Sequence, residues 1–580
     1  MFGWTGKILA IDLTSKKYSF IYPDENIYLK YVGGKGIAGY YLKDHITKPW
    51  DSESMPLLFF TGPLVNTQAP TSGRTTVMSR SPLTGTIGDT SVGGTLGSQI
   101  KKAGLDGIII TGKSEKFIGI EINDSSIEFI NAEPLKGLLI SDVHKKVFNG
   151  GSVASIGPAA ENGVLFSTIS IDNHYMAGRN GLGLVMAAKN LKYISVKGSG
   201  TTAVYDKNEL LKAREDIFRL TAASPALQGE FGLANFGTAA IYDLMHLRKM
   251  MPTDNFRKTR FENAANMNAW HFKQQYKTKK DGCRGCHILC KKIGEKKDVM
   301  PEFETLSHFS ALIENTDAEA VVKANKLCND LGMDTISAGA TISCYKEISG
   351  KKISPDDLLN LLNDIGYSKN EGAALKLGSF RYAESKGQPH TSMTVKKLEL
   401  PGYDPRGAYG MALAYATSTR GACHLRAYTI AHEILRKPVL SDRFSFSGKA
   451  RIIKISEDMN AMVDSLTACK FIFFAATLEE YAHAYSAVTG IKSSAQDLLN
   501  IGERIYYNEW VMNAMNGFSD RDVVLPERFF NEPGSSGEGV IINPISKEEF
   551  QQAKENYYKI RGLDSNGMPT YEKQKSLGLL

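Results

Sequence analysis

The chain has 580 residues, 42% of them hydrophobic and 23% charged, and no low-complexity tract. That length is too great for one core and predicts about two to four domains of ordinary globular composition. A net charge of +7 is too modest for a nucleic-acid footprint, and no apolar run approaches the ~18 residues that a membrane span needs.

The opening stretch, MFGWTGKILAIDLTSKKYSF, has no basic segment followed by an apolar one. This predicts no secretory leader and a cytoplasmic location. Seven cysteines, three of them within eight residues, then read as reduced thiols for metal ligation and not as a disulfide framework. Residues 1–200 read as β-rich: KILAIDLT, PLLFFTGPL, DGIIITGK, IGIEIN and YISVKG are short β-branched or aromatic runs bounded by turn formers. Gly-rich loops are expected at 33–39, 91–97 and 177–183, the last two leading into helical patterns. Backbone N–H groups at such junctions suit anions, although ordinary turn chemistry explains any one of these loops by itself.

From about residue 204 the apolar period becomes helical. DKNELLKAREDIFRLTAAS opens on a capping Asp206, and AEAVVKANKLCNDLGM, SGKARIIKISEDMNAMVDSLTACKFIFF and SAQDLLNIGERIYYNEWVMNAM continue the pattern. The Pro/Gly-rich LPGYDPRGAYG at 400–410 is the best candidate for a second boundary.

Cys283, Cys286 and Cys290 form a CxxCxxxC segment. Two- and three-residue gaps let three thiolates face one small object, and both tetrahedral zinc and a [4Fe–4S] cube use such convergence. Neither has a local fourth ligand here, and His287 is badly placed beside Cys286. Lys273, Lys277, Lys279, Lys280, Arg284, Lys291, Lys292, Lys296 and Lys297 surround the loop. They read equally as a solvated turn or as a docking patch for an acidic electron carrier. Cys328 falls on an apolar helix stripe and is expected in the core. Downstream, Arg420-Gly421-Ala422-Cys423-His424-Leu425-Arg426 offers a group that titrates near neutrality, and Glu304 in PEFETL precedes a helix. Taken alone, each is unremarkable.

Together the segments resemble the aldehyde:ferredoxin oxidoreductase family of tungsten enzymes along essentially the whole chain and in order. The matching stretches run from TGKILAIDLT through TGPLVNTQAPTSGR, SPLTG, SIGPAAEN, AGRNGLGLVMAAKNLK, CRGCHILC, PEFETL, ANKLCNDLGMDTIS, PRGAYGMALAYATSTRGACH and DSLTAC to IGERIYYNE. The resemblance implies an α+β protein with a β-rich pterin-binding domain at 1–203 and two mainly helical domains at 204–398 and 399–580. It implies a bis-pyranopterin tungsten or molybdenum cofactor, one [4Fe–4S] cluster, and a Mg2+ ion bridging the pterin phosphates. Cys469 matches the fourth cluster ligand beside Cys283, Cys286 and Cys290. Arg74 and Arg179 match arginines that contact phosphate or pterin, for which a planar charged fork is suited. Gly93 and Gly178 fall in the loops expected to cradle the cofactor. Asp334 and Asp464 match the carboxylates that accept hydrogen bonds from the pterins, and Arg426 stands where Lys is frequent. Glu304 and His424 match the pair beside the metal.

The implied reaction turns an aldehyde into a carboxylate and passes electrons through the cluster to ferredoxin or a dedicated iron–sulfur subunit. Several positions depart from the family. Ser91 replaces an Asn near the magnesium, Asn329 an Asp, and Tyr175 an Arg that helps hold phosphate. Lys323 replaces a Glu of an interface metal, so no such metal is expected and a homodimer is left without that support. Two alternatives remain: a tungsten or molybdenum reductase of the benzoyl-CoA reductase type, and a zinc-stabilised scaffold without catalysis. The intact Arg420–His424 segment disfavours the first.

Overall fold

The apolar runs of the first 200 residues form two six-stranded mixed sheets in a computed structural model that describes residues 1–580. The first sheet contains β1 (Ile8–Asp12), β2 (Lys17–Ile21), β3 (Leu57–Phe60), β4 (Thr75–Arg80), β5 (Ile87–Val92) and β6 (Gly107–Thr111), in the order β2-β1-β6-β3-β4-β5. The second contains β7 (Ile118–Asn123), β8 (Ser126–Asn131), β9 (Ser152–Ser155), β10 (Ile169–Ile171), β11 (Tyr175–Ala177) and β12 (Leu191–Lys197), in the order β11-β10-β9-β12-β7-β8. Only β1 with β6 and β7 with β12 run parallel. β3 reads Leu-Leu-Phe-Phe without alternation because both its faces are covered. Leu57 and Phe59 enter a 35-residue core shared by the two sheets, while Leu58 and Phe60 join a 112-residue core with the helices.

Helices follow where the 3.6-residue period predicts them. The helix Lys207–Ala222 starts at Asp206, whose carboxylate accepts the N–H groups of Asn208 and Glu209. Ala318–Leu331, Lys449–Leu466 and Ala495–Met515 match the other expected segments. Lys449–Leu466 ends at Thr467, whose left-handed backbone (φ 53°) returns its N–H to the Val463 carbonyl. The chain then enters the short turn Lys470–Phe474 that starts from Cys469. The larger core runs from Trp4 to Leu579 and includes residues on both sides of position 398. The Pro/Gly stretch at 401–410 is buried throughout. Arg406 pins it, pairing with Asp404 and donating to the carbonyls of Phe256, Glu532 and Pro533. No helix is long and apolar enough to cross a membrane.

The glycine run at 33–39 differs from expectation: it is the first half of a helix, Gly34–Lys43, and not a loop. Its glycines serve close approach. A Cβ at Gly34 would lie 2.3 Å from the Asp464 carbonyl, and one at Gly36 would lie 2.1 Å from that of Tyr31. The helix is therefore pressed onto the backbone at the end of Lys449–Leu466, joining the first sheet to the C-terminal helices. Gly34 also has φ +33°, so Gly34→Ala meets both a clash and an unfavourable backbone. We expect that variant to lose about 2–4 kcal/mol in urea denaturation; a loss under about 0.5 kcal/mol would mean that this contact relaxes freely.

Candidate active site and metal centre

A two-stranded hairpin, β13 (Lys279–Asp281) and β14 (Lys291–Ile293), carries the CxxCxxxC segment between its strands. The Cys286 N–H bonds to the Cys283 carbonyl (3.1 Å), and Gly285 (φ +71°) and Leu289 (φ +52°) turn the chain. Cys469 arrives from the C-terminal part and joins the other three thiols. Burial first, then the neighbouring Cys469, raises the thiols of Cys290 and of Cys286, the latter to about 11. Burial likewise raises Cys469, against the pull of Arg74. A metal here must therefore displace thiol protons.

Cys469, Cys286 and Cys283 all act electrostatically on Cys290, as does the Glu302 carboxylate. The four thiols therefore face one region, and four thiols are the donor set of a [4Fe–4S] cluster as well as of a four-cysteine zinc site. His287 packs edge-on against Phe218, with ring centres 4.5 Å apart. Cys328, Cys344 and Cys423 are buried elsewhere.

The loop after β5 touches this hairpin. A Cβ at Gly93 would stand 2.5 Å from the Cys283 sulfur and 2.9 Å from the Tyr175 ring, so only glycine fits. Lys291 Nζ lies over that ring, 4.7 Å from its centre. This keeps a cation beside Tyr175. Arg74 spans the junction. Its Nε donates to Ser91 Oγ (3.0 Å) and its Nη2 to the Ser91 carbonyl (2.5 Å), while Nη1 faces Cys469 Sγ at 3.7 Å.

Behind the site lies a buried ionic network. Arg426 pairs with both oxygens of Asp89 and lies 3.6 Å from Glu509. Lys35 Nζ sits 3.1 Å from Asp89 and 2.5 Å from Glu509. Burial disfavours the Asp89 carboxylate, but Arg426, Lys35 and Arg420 outweigh it and hold the group well below the usual range. Arg420 donates to the Asp89 carbonyl (2.6 Å) and, through Nε and Nη2, to Cys423 Sγ at 3.2 and 2.9 Å. Sequence reasoning named Arg420, Cys423 and Arg426 of this group but not Lys35, Asp89 or Glu509. The acidic residue inside the otherwise buried IGDTSV strand was the available signal.

Gly178, Arg179 and Asp334 come together. A Cβ at Gly178 would lie 3.3 Å from Asp334 Oδ1, and Arg179 Nε is 3.7 Å from Asp334 Oδ2. Asp334 also caps the helix Thr335–Ser349 through the Ser337 N–H. Arg179, at φ +64°, donates to the carbonyls of Glu399 and Ala422. Asp464 pairs with Lys470. The Nε atoms of Arg179 and Arg426 are buried without hydrogen-bond partners. Such orphaned donors, beside Lys35, Arg74, Arg420 and Lys470, fit a polyanionic ligand with acceptor oxygens.

Glu304 lies in the first turn of the helix Phe303–Phe309, and His424 follows the Arg420–Cys423 loop. Glu304 Oε1 is 3.5 Å from His424 Nε2, and the other oxygen accepts the Gly402 N–H at 2.7 Å. Oε1 and His424 Nδ1 are both buried without a hydrogen bond. Burial raises the Glu304 carboxyl to about 8, partly offset by the Gly402 N–H and Arg179. Burial, then Arg179 and Arg420, pushes the His424 imidazole well below its ordinary range. Near neutrality the pair therefore holds one proton, on the carboxyl, facing a neutral imidazole.

Two neighbours escaped the sequence reading. His308, one helical turn after Glu304, is fully buried, with Nδ1 2.7 Å from the Glu304 carbonyl and Nε2 3.2 Å from that of Leu400. It braces the helix that carries Glu304 against the loop whose Gly402 N–H holds the carboxyl. Burial lowers its pKa to about 4, so the ring is neutral and donates to one carbonyl at a time. The Tyr403 ring lies tilted against the His424 ring with centres 5.5 Å apart, and its hydroxyl accepts from Tyr428 at 3.2 Å.

Known proteins share this arrangement of chain. The family model described as aldehyde ferredoxin oxidoreductase, N-terminal domain, matches residues 8–198, and that described as domains 2 & 3 of the same family matches residues 212–579. The tungsten-containing aldehyde ferredoxin oxidoreductase of Thermococcus kodakarensis is 34% identical over 614 residues, covering 100% of this chain and 99% of that protein. Its counterpart from Pyrococcus furiosus is 34% identical over 608 residues, with coverage of 100% and 99%. Among solved structures, the active site complex BamBC of benzoyl coenzyme A reductase, bound to 1,5-dienoyl-CoA, superposes with a TM-score of 0.85 at 21% identity. That match covers 100% of this chain and 97% of the other, and it shows a common fold.

Removing Asp89 leaves Lys35 and Arg426 buried with less compensation. Asp89→Ala should therefore cost about 3–5 kcal/mol in chemical denaturation. A cost below about 1 kcal/mol would show that Glu509 alone balances these cations.

Proposed function

The chain belongs to the aldehyde ferredoxin oxidoreductase family, and from that membership we propose that it oxidises an aldehyde to the carboxylate and delivers the electrons to an iron–sulfur acceptor. One aldehyde and one water yield one carboxylate, three protons and two electrons. When bound, a tungsten or molybdenum bis-pyranopterin supplies the two-electron oxidation, and a [4Fe–4S] cluster relays the electrons singly. Cys283, Cys286, Cys290 and Cys469 would hold the cluster. Arg74, Gly93, Gly178, Arg179, Asp334, Arg426 and Asp464 would line the pterin site. Ser91 would stand beside a magnesium ion, which would offset the cofactor's negative charge. Relatives matching over their full length carry tungsten and ferredoxin in their names.

The observation that carries the catalytic reading is the Glu304–His424 pair: a buried carboxyl opposed to a buried imidazole, with an unpaired atom on each. His424, kept neutral by burial and by Arg179, can accept a proton from water or substrate at a ring nitrogen. Glu304, kept protonated by burial, can donate a proton to a developing oxyanion and take it back afterwards. The Gly402 N–H fixes one carboxyl oxygen, leaving the other aimed at His424. The Tyr403 and Tyr428 rings wall the histidine and help to exclude water.

Glu304→Gln and His424→Asn should each lower turnover about 10²–10⁴-fold with iron and tungsten or molybdenum content unchanged. Metal loss in both variants would give these residues a structural role instead. Because the protonated Glu304 acts as donor and its pKa is raised to about 8, turnover should fall as pH rises through about 8. His424 is neutral well below its usual range, so no acid limb should appear near pH 6.5. Glu304→Gln should remove the alkaline limb; a limb that persists belongs to another group.

Anaerobically purified protein should contain about four Fe and one W or Mo per chain. Cys469→Ser should lower the iron content, whereas Cys328→Ser, in the core, should not. Zinc without iron would overturn the assignment.

A further inference from the structure

The cysteine hairpin is also the most highly charged part of the chain. Residues 273–300 contain nine Lys or Arg against three Asp or Glu, a net +6 in a protein whose total is +7. The basic character of the molecule is thus concentrated around one candidate redox centre. The three acids and their neighbours do little to neutralise it: Glu295 is matched by Lys277 (3.3 Å), Asp298 by Lys326 (3.5 Å) and Glu302 by Lys291 (3.8 Å). Lys279, Lys280, Arg284, Lys296 and Lys297 are exposed and have no carboxylate within ion-pair distance. In the hairpin register Lys280 stands opposite Lys292. Like charges directly across a strand pair are destabilising, so stability alone gives no reason for this arrangement.

An apolar surface adjoins the charges. Phe231 is 69% exposed and Trp270 50%, and both pack on Phe236, with ring centres 6.2 and 5.9 Å apart. Lys273 lies over the same Phe236 ring at 4.4 Å. The next residue, Gly237, presses on the hairpin, since a Cβ there would meet the Cys290 carbonyl at 2.6 Å. Cys290 itself lines a shallow surface cleft with Phe236, Lys273 and Lys292. The aromatic patch, the cations and a cluster thiol therefore share one face. The face combines an apolar anchor, a charged rim and a short path to the buried redox group, the requirements for a transient electron-transfer contact.

We infer that this face, centred on the hairpin 279–293 and edged by Phe231 and Trp270, is the docking surface for a small acidic iron–sulfur electron carrier. The inference rests on the proposed aldehyde oxidation. Each docked carrier accepts one electron from the reduced cluster and leaves, so two carriers are reduced for each aldehyde oxidised. Complementary charge speeds encounter and orients the carrier, and the aromatic pair seats it over the Cys290 cleft.

The test uses holoenzyme, an aldehyde, and a purified acidic ferredoxin as acceptor, with a small uncharged quinone as the comparison acceptor. For ferredoxin, kcat/KM should fall steeply with added salt. It should fall about tenfold or more in Lys279→Glu/Lys280→Glu and in Lys296→Glu/Lys297→Glu. Phe231→Ser should lower it several-fold. Lys16→Glu/Lys17→Glu, at the far edge of the first sheet, should have no such effect, and quinone reduction should be unchanged in every variant. Equal ferredoxin kinetics in all variants and at all salt concentrations, with quinone reduction intact, would overturn the docking surface and leave the oxidation standing. Failure of the unaltered holoenzyme to reduce ferredoxin while it reduces quinone would overturn the acidic carrier. Failure to oxidise aldehydes with either acceptor would overturn the reaction itself.

Discussion

A carboxylate gripped by cations in the interior holds this molecule together. Asp89 sits at the end of the first sheet, yet its partners come from the glycine-rich helix (Lys35) and from the loop that ends in the candidate active site (Arg420 and Arg426). Glu509, from the long helix Ala495–Met515, completes the set. Burying so many charges is favourable only if each meets its counter-charge with good geometry, so the network fixes how the β-rich part meets the helices. Because Arg420 and Arg426 bracket Cys423 and His424, it also determines where the histidine stands.

Close backbone contact does the rest of the positioning. Glycine at 34 lets the first helix lie on the Asp464 carbonyl, and glycine at 93 lets the loop after β5 touch the Cys283 sulfur. Arg74 then ties that loop to Cys469. The expected cofactor cradle and the expected cluster ligands are thus joined at two points, the Arg74 guanidinium and the close approach of Gly93 to Cys283. Tyr175, which stands where an arginine is common in the family, contacts Gly93 and has the Lys291 ammonium over its ring, so a cation of the hairpin lies beside it.

The acid–base character of Glu304 and His424 is a consequence of burial and not of residue type. An exposed pair would form a charged Glu–His contact at neutral pH. Here the low-polarity surroundings and the nearby arginines favour the uncharged forms of both. His308 and the Gly402 N–H then fix the carboxyl without ionising it.

Much of this was legible in the sequence, for physical reasons. Strand and helix periods, the Asp206 cap, the reduced thiols and the CxxCxxxC loop depend on neighbours within a few residues, where chain geometry leaves few choices. The ordered motifs carried the family, and with it Cys469, Glu304 and His424, which no local spacing could have linked. Local pattern misread the 33–39 glycines as a loop because their role is contact with a backbone more than 400 residues away. Asp89, Glu509 and His308 stayed hidden for the same reason, since a charge or imidazole has no meaning until its partner is placed. The sequence by itself determined most of the elements, the family and the positive charge around the cysteine loop. Only the tertiary structure decided which charges are paired, which donors are left unsatisfied, and that the aromatic patch lies beside the cysteine hairpin, because burial and long-range contact set those properties.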